Sequence, residues 1–155
     1  MPPSIVAGVV DVFVVSPRGR GWRVLVLQRS ATTRCAGAWE TVHGRMRRGE
    51  SAERAALREL REETGLVPER LYNVTTHGFY LHRPGVVQVA VAFCAFVSGE
   101  PSVRLSREHE RAEWLSRTAA LRRLAWPSER DCLDRAWALL KLGNAGPLED
   151  VLRVR

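Results

Sequence analysis

Cysteine is scarce. Cys35, Cys94 and Cys132 are odd in number and far apart, so they fit neither a zinc-ligand spacing nor a disulfide framework. None has the surroundings of a nucleophile, and Cys94 lies in an apolar stretch that suits a small core residue. Long hydrophobic runs are also missing. Nothing approaches the ~18 apolar residues of a membrane helix, and the apolar segment Ile5 to Val15 carries Asp11 in its middle. There is no basic lead-in or signal-peptide pattern at the N-terminus, which gives a cytoplasmic expectation with no membrane partner. Repeats, linkers and low-complexity segments are absent, and one domain over residues 1–155 is expected. Lysine is nearly absent as well: Lys141 is the only one, and the net charge of +7 is carried by arginine, for which codon bias is the simplest reading. Such a surface attracts polyphosphates or nucleic acid. The basic residues are dispersed, however, and no nucleic-acid-binding motif or base-stacking aromatic pattern accompanies them.

What is present is an ordinary globular composition, 45% hydrophobic and 26% charged, and one dense cluster of carboxylates. Ser51 is a good N-cap, Glu53 suits the first turn, and the alanines and leucines that follow recur at helical spacing. Gly65 follows Thr64 where a left-handed residue would end the helix. On that helix Glu59 shares a face with Glu62 (i, i+3) and Glu63 (i, i+4). Like charges at these spacings repel by a few tenths of a kcal/mol per pair. One remedy is a solvated face with Arg58 paired to Glu62. The other is a hard divalent cation, Mg²⁺ or Mn²⁺, which takes carboxylate and phosphate oxygens.

The surrounding pattern favours the cation. Gly44 is followed after five residues by Glu50 and after seven more by Arg58-Glu59-Leu60-Arg61-Glu62-Glu63-Thr64-Gly65-Leu66. This resembles the Nudix box, Gx5Ex7REUxEExGU with U aliphatic, at every defined position, and the sequence is similar to that of a Nudix hydrolase. The resemblance implies an α/β fold, an α/β/α sandwich with a mixed β-sheet, and a Mg²⁺-dependent (or Mn²⁺-dependent) pyrophosphohydrolase. It implies that Glu59, Glu62 and Glu63 bind metal, that Gly44 lets the loop turn back under the helix, and that Glu50 and Arg58 orient the carboxylates. One departure stands out: Arg45, Arg47 and Arg48 make the loop after Gly44 unusually basic, and they become candidate phosphate contacts.

In many members of that family a glutamate from a loop before the last strand completes the metal site or acts as base. Glu108 is the candidate here, with Glu110 behind it. Whether Glu62, Glu59 or Glu108 removes the proton from water stays open. Glu108-His109-x4-Trp114-Leu115, Trp39 to Gly44 and the C-terminal helix after Trp126 resemble the bacterial dihydroneopterin triphosphate pyrophosphatase branch. The expected substrate is therefore a small nucleoside di- or triphosphate derivative (NTP, dNTP or a pterin triphosphate). Dinucleoside polyphosphates, an RNA 5′ end, or a non-catalytic nucleotide-binding regulator are the alternatives. A homodimer accompanies these expectations. Of the four histidines, all isolated in sequence, only His43 is singled out as a substrate contact, because it directly precedes the box. Tyr80 is a further candidate for substrate contact.

The remaining elements are expected as follows. Ile5–Ser16 and Trp22–Arg29 form a hairpin around residues 17–21, and Trp39–Val42 is a short strand. Leu71–His82 and Val86–Val97 form a second hairpin, with Val86 to Phe93 buried on both faces. Ala112–Leu115 is a last strand, Thr118–Leu124 a short helix, and Ser128–Leu142 an amphipathic helix capped by Ser128.

Overall fold

The valine-rich N-terminal run makes the strand on which the sheet is built. In this computed structural model, which describes residues 1–155, that strand is β1 (Ser4–Arg18). It turns at Gly19-Arg20 into β2 (Gly21–Arg29). Strands β3 (Trp39–Glu40), β4 (Val42–Arg45), β5 (Arg70–Leu81), β6 (Val86–Phe96) and β7 (His109–Ser116) complete a seven-stranded sheet with a central order β3-β2-β1-β6-β5. The sheet is mixed: β1 runs parallel to β6, with Val12 beside Phe93, and every other pairing is antiparallel.

The first hairpin is split. β1 and β2 pair only from Val15–Val24 to Arg18–Gly21 and then part. Residues 39–45 fill the gap, β3 pairing with β2 at Leu27 and Gln28 and β4 pairing with β1 from Val9 to Val12. The segment expected as one short strand is therefore two, because its two halves bond to different neighbours.

Alternation along β1 sends successive side chains to opposite faces. Val10, Val12 and Val14 join Leu25, Leu27 and Leu60 beneath α1 (Ala52–Thr64). Phe13 and Val15 join Trp22, Phe96, Leu133 and Leu140 beneath α2 (Arg117–Arg123) and α3 (Pro127–Leu140). Helix α1 has the ends expected of it: Ser51 accepts from the Arg54 N–H, and Gly65 closes it at φ 76°. Leu60 is fully buried in the layer that holds α1 to the sheet. Leu60→Ala is expected to cost about 2–5 kcal/mol of unfolding free energy, read as a lower urea midpoint at unchanged slope.

Some boundaries differ from expectation. β1 and β7 are longer than the patterns suggested, since pairing with β6 and β2 carries polar residues into the ladders. Val86 to Val89 are only half-buried, beside the exposed start of β1 with which they pair. Ser128 does not cap α3. Trp126 occupies the N-cap without a side-chain hydrogen bond and Pro127 opens the helix, where its missing N–H costs nothing. A short 3₁₀ turn (Gly146–Leu148) and α4 (Glu149–Leu152) follow, and Arg153 to Arg155 bond to the start of β5 at Leu71 and Tyr72. No helix is long and apolar enough to cross a membrane.

Candidate active site

The split hairpin brings the carboxylate helix to a cavity. Glu59 and Glu63 rise from α1 towards β4, and at Gly44 there is no side chain in the way. A Cβ built there would stand 2.0 Å from Glu59 Cδ and 2.4 Å from its Oε1. Glu59 thereby reaches a cavity of about 580 Å³ whose wall also holds His43, Gly44, Arg45 and Glu108. Asp11, Arg29, Glu40, His77 and Glu129 line it too, and Phe79, Leu81 and Trp126 give it an apolar side.

Arg58 organises the carboxylates. Its Nε and one terminal nitrogen donate to the two Glu50 oxygens, both at 2.8 Å, and its other terminal nitrogen lies 2.6 Å from Glu59 and 3.2 Å from Glu62. Such bidentate pairs are strong. The hydrogen bonds from Arg58, joined by the backbone N–H of Arg47, hold the Glu50 carboxyl down at about 2. Arg47 also reaches Glu62, at 3.2 Å on the exposed rim. Of the two remedies for the like charges, the Arg58–Glu62 pair is present, beside a carboxylate cluster at a cavity. As the side chains stand, no three donors are drawn together into a closed cage. Guanidinium groups occupy the space between Glu50, Glu59 and Glu62.

Glu63 is different. It is 2% exposed, and neither carboxylate oxygen has a hydrogen-bond partner. Burial, reinforced by the charges of Glu108, Glu59 and Glu40, pushes its carboxyl well above the usual range. Burial also raises Glu59, aided by Glu62 and Glu108 and opposed by Arg58. A buried, unpartnered carboxylate beside two more carries a large desolvation cost. A divalent cation is the partner whose chemistry fits that donor set, so Glu59, Glu62, Glu63 and Glu108 suit such an ion.

The other predicted contacts separate. His43 and Arg45 face the cavity. Arg47 turns to Glu62, Arg48 is exposed on the loop, and Tyr80 is 58% exposed and does not line the cavity. Tyr80 is displaced by strand alternation: its neighbours Phe79 and Leu81 point inward instead.

The sequence reading missed the floor of the cavity. His43 and His77 are not isolated, because Asp11, 2% exposed, takes His43 Nδ1 on one oxygen and His77 Nε2 on the other, each at 2.5 Å. Burial would raise the Asp11 carboxyl, but hydrogen bonds from both imidazoles outweigh it and hold it below its usual value. Burial would lower His43, but its bond to Asp11 outweighs that and holds it above its usual 6.5. A raised histidine stabilises the fold fully below its unfolded value and loses that contribution as pH rises through the folded one. The stability gap between the parent and His43→Gln is therefore expected to be widest below pH 6.5 and to narrow above it, measured by urea unfolding across pH. Next to this cluster, Glu129 accepts the Thr41 N–H at 3.0 Å while its other oxygen is buried without a partner. Burial and the Asp11 charge push its carboxyl well up.

The other missed group is Glu40. It binds Arg29 at 2.8 Å and the fully buried His109 at 2.9 Å. Asp11 interrupting an apolar strand, and Glu40 between Trp39 and Thr41, were the available signals. Their partners lie as far away in sequence as His77 and His109.

Known proteins share this architecture. The family profile for the NUDIX domain matches residues 7–136. An octanoyltransferase of Myxococcus xanthus is 36% identical over 83% of this chain, a match that covers only 36% of that protein. A Mycobacterium tuberculosis protein provisionally named 8-oxo-dGTP diphosphatase 2 is 32% identical over 72% of this chain and 77% of its own length. The structure of the E. coli dihydroneopterin triphosphate pyrophosphohydrolase superposes with a TM-score of 0.71 at 26% identity, covering 86% of this chain and 96% of that one.

Proposed function

The chain belongs to the Nudix hydrolase family, and on that premise we propose that it is a divalent-metal-dependent pyrophosphohydrolase acting on a nucleoside triphosphate or a similarly built pterin triphosphate. The carrying observation is Glu63: a buried carboxylate with both oxygens unpartnered, next to Glu59 at the cavity wall. Glu59, Glu62, Glu63 and Glu108 would hold Mg²⁺ or Mn²⁺. Bound there, such an ion neutralises phosphate charge and makes a water more acidic.

The rest of the reading concerns the chain's own groups. Arg45 and the Asp11-held His43 face the cavity from β4 and supply positive charge and N–H donors to a phosphate chain. Arg29 and Arg34, which line the same cavity, add to this. Phe79, Leu81 and Trp126 form an apolar side against which a planar ring packs. Glu59 or Glu108, both at the wall, accepts the proton of the attacking water, so that phosphorus gains an oxygen and the pyrophosphate bridge breaks. Substrate type is supported by the relatives, which include a dihydroneopterin triphosphate pyrophosphohydrolase and a protein provisionally named 8-oxo-dGTP diphosphatase 2.

The test is product analysis with Mg²⁺, and then Mn²⁺, over dNTPs, 8-oxo-dGTP, dihydroneopterin triphosphate, diadenosine polyphosphates and 5′-triphosphate RNA. Metal-dependent turnover of a triphosphate, strongly reduced in Glu59→Gln, is expected. Turnover confined to the dinucleotide or RNA would move the substrate class. Tight binding without turnover would identify a nucleotide-binding regulator.

A further inference from the structure

A second chain of contacts runs from the cavity wall to Glu63 and is not part of the box. Arg29 on β2 and Glu40 on β3 line the cavity, and the Arg29 guanidinium donates to Glu40 Oε1 at 2.8 Å. The same oxygen lies 2.9 Å from Nε2 of His109, at the start of β7. The His109 side chain is completely buried, and its other nitrogen, Nδ1, has no hydrogen-bond partner. That nitrogen faces Glu63 Oε2 at 4.0 Å, itself without a partner. Two orphaned polar atoms, one on an imidazole anchored from behind and one on a buried carboxylate, thus face each other across the core.

Unpaired buried polar groups are few in folded proteins, and each has a cost. Here the two nearest orphans point at one another, and the imidazole is immobilised by Glu40 on its far side. We propose that His109, held by Glu40 and Arg29, is a positioning residue for Glu63, orienting that carboxylate so that one oxygen faces His109 and the other is free for a divalent cation. The inference rests on the metal-dependent reading above, in which Glu63 is a ligand. It adds the group that aims the ligand. Carboxylate–imidazole pairs behind a metal ligand commonly alter metal affinity by about 10–100-fold.

Substitution chemistry separates the two ends of the imidazole. Glutamine places its amide near the Nε2 position and retains the Glu40 contact, but it withdraws the atom facing Glu63. Asparagine places its amide near Nδ1 and retains the group facing Glu63. The experiment is Mn²⁺ titration followed by electron paramagnetic resonance of the free ion, on the parent, H109Q, H109N, E63Q and E63Q/H109Q, each checked for folding by circular dichroism. H109Q is expected to weaken Mn²⁺ binding by about 10–100-fold, with H109N between H109Q and the parent, since it keeps the group facing Glu63 but loses the Glu40 anchor. In the E63Q background H109Q is expected to change nothing further, since the effect passes through Glu63. Parental affinity in H109Q, or a full additional loss in the double variant, would overturn the proposal while leaving the metal reading intact. A parent that binds no Mn²⁺, or is unaffected by E63Q, would overturn both. If H109Q does not fold, E40Q replaces it: it loosens His109 from behind and should weaken Mn²⁺ in the same direction, and unchanged affinity would overturn the proposal.

Discussion

Glu59→Gln is expected to lower kcat by about 10²–10⁴-fold, the range associated with loss of a general base or of a charged group acting in the transition state. Glutamine keeps the shape of glutamate but can neither take a proton nor present an anionic oxygen. The fold has little to lose. Arg58 exchanges one charged 2.6 Å acceptor for a neutral amide oxygen and keeps both Glu50 bonds and the Glu62 contact. Burial and neighbouring negative charges already disfavour the ionised form of Glu59, so a neutral amide relieves repulsion. The unfolding midpoint should therefore hold or rise while activity collapses. Steady-state kinetics at saturating Mg²⁺, paired with urea unfolding of the same preparations, reads both quantities. A fall of less than tenfold in kcat would remove Glu59 from the reaction.

Gly44→Ala should show the same dissociation of activity from stability by a different route. The added methyl would sit 2.0 Å from the Glu59 carboxyl carbon, a distance no packing tolerates. The offending group is the far end of a flexible side chain, and β4 keeps its pairing of Gly44 with Val10 through backbone atoms. The glutamate yields rather than the sheet. Displacing a catalytic group by about 1 Å can cost roughly 10²-fold, and a loss of that order in kcat/KM is expected with a small change in midpoint. In the Glu59→Gln background the same alanine should add little, because both changes act on one carboxylate. Independent losses would show that Gly44 serves the backbone path instead.

These two residues were legible in the sequence because the box is local: Gly44 through Leu66 is one loop and one helix, and helical spacing alone puts Glu59 and Glu63 on a common face. The layers were legible for similar reasons. Valine-rich runs gave the strands, and the cap at Ser51 and the left-handed Gly65 gave the helix ends. The floor of the cavity was not legible. Asp11, His43 and His77 meet because β1 pairs with β4 on one edge and, through β6, neighbours β5 on the other. His109 meets Glu40 across 69 residues of sequence. No periodicity reports strand order, so a carboxylate in an apolar strand showed only that the strand would not cross a membrane. Tyr80 was lost to a parity error of one residue, the smallest slip that sends a strand side chain to the opposite face.

The parallel pairing of β1 with β6 also shapes how this protein comes into being. Asp11 is followed only much later in the sequence by its ladder neighbour Ala92, so a nascent chain emerging from the ribosome holds a long valine-rich strand whose partner has yet to be synthesised. Loop closure over that span has to precede the reward of pairing, which makes such topologies slow to fold and leaves an open edge exposed in the interval. Glu108, His109 and Glu129 arrive later still. The wall that faces the box therefore comes from segments translated after it, and a chain stalled or clipped between the two would carry the complete box without that wall.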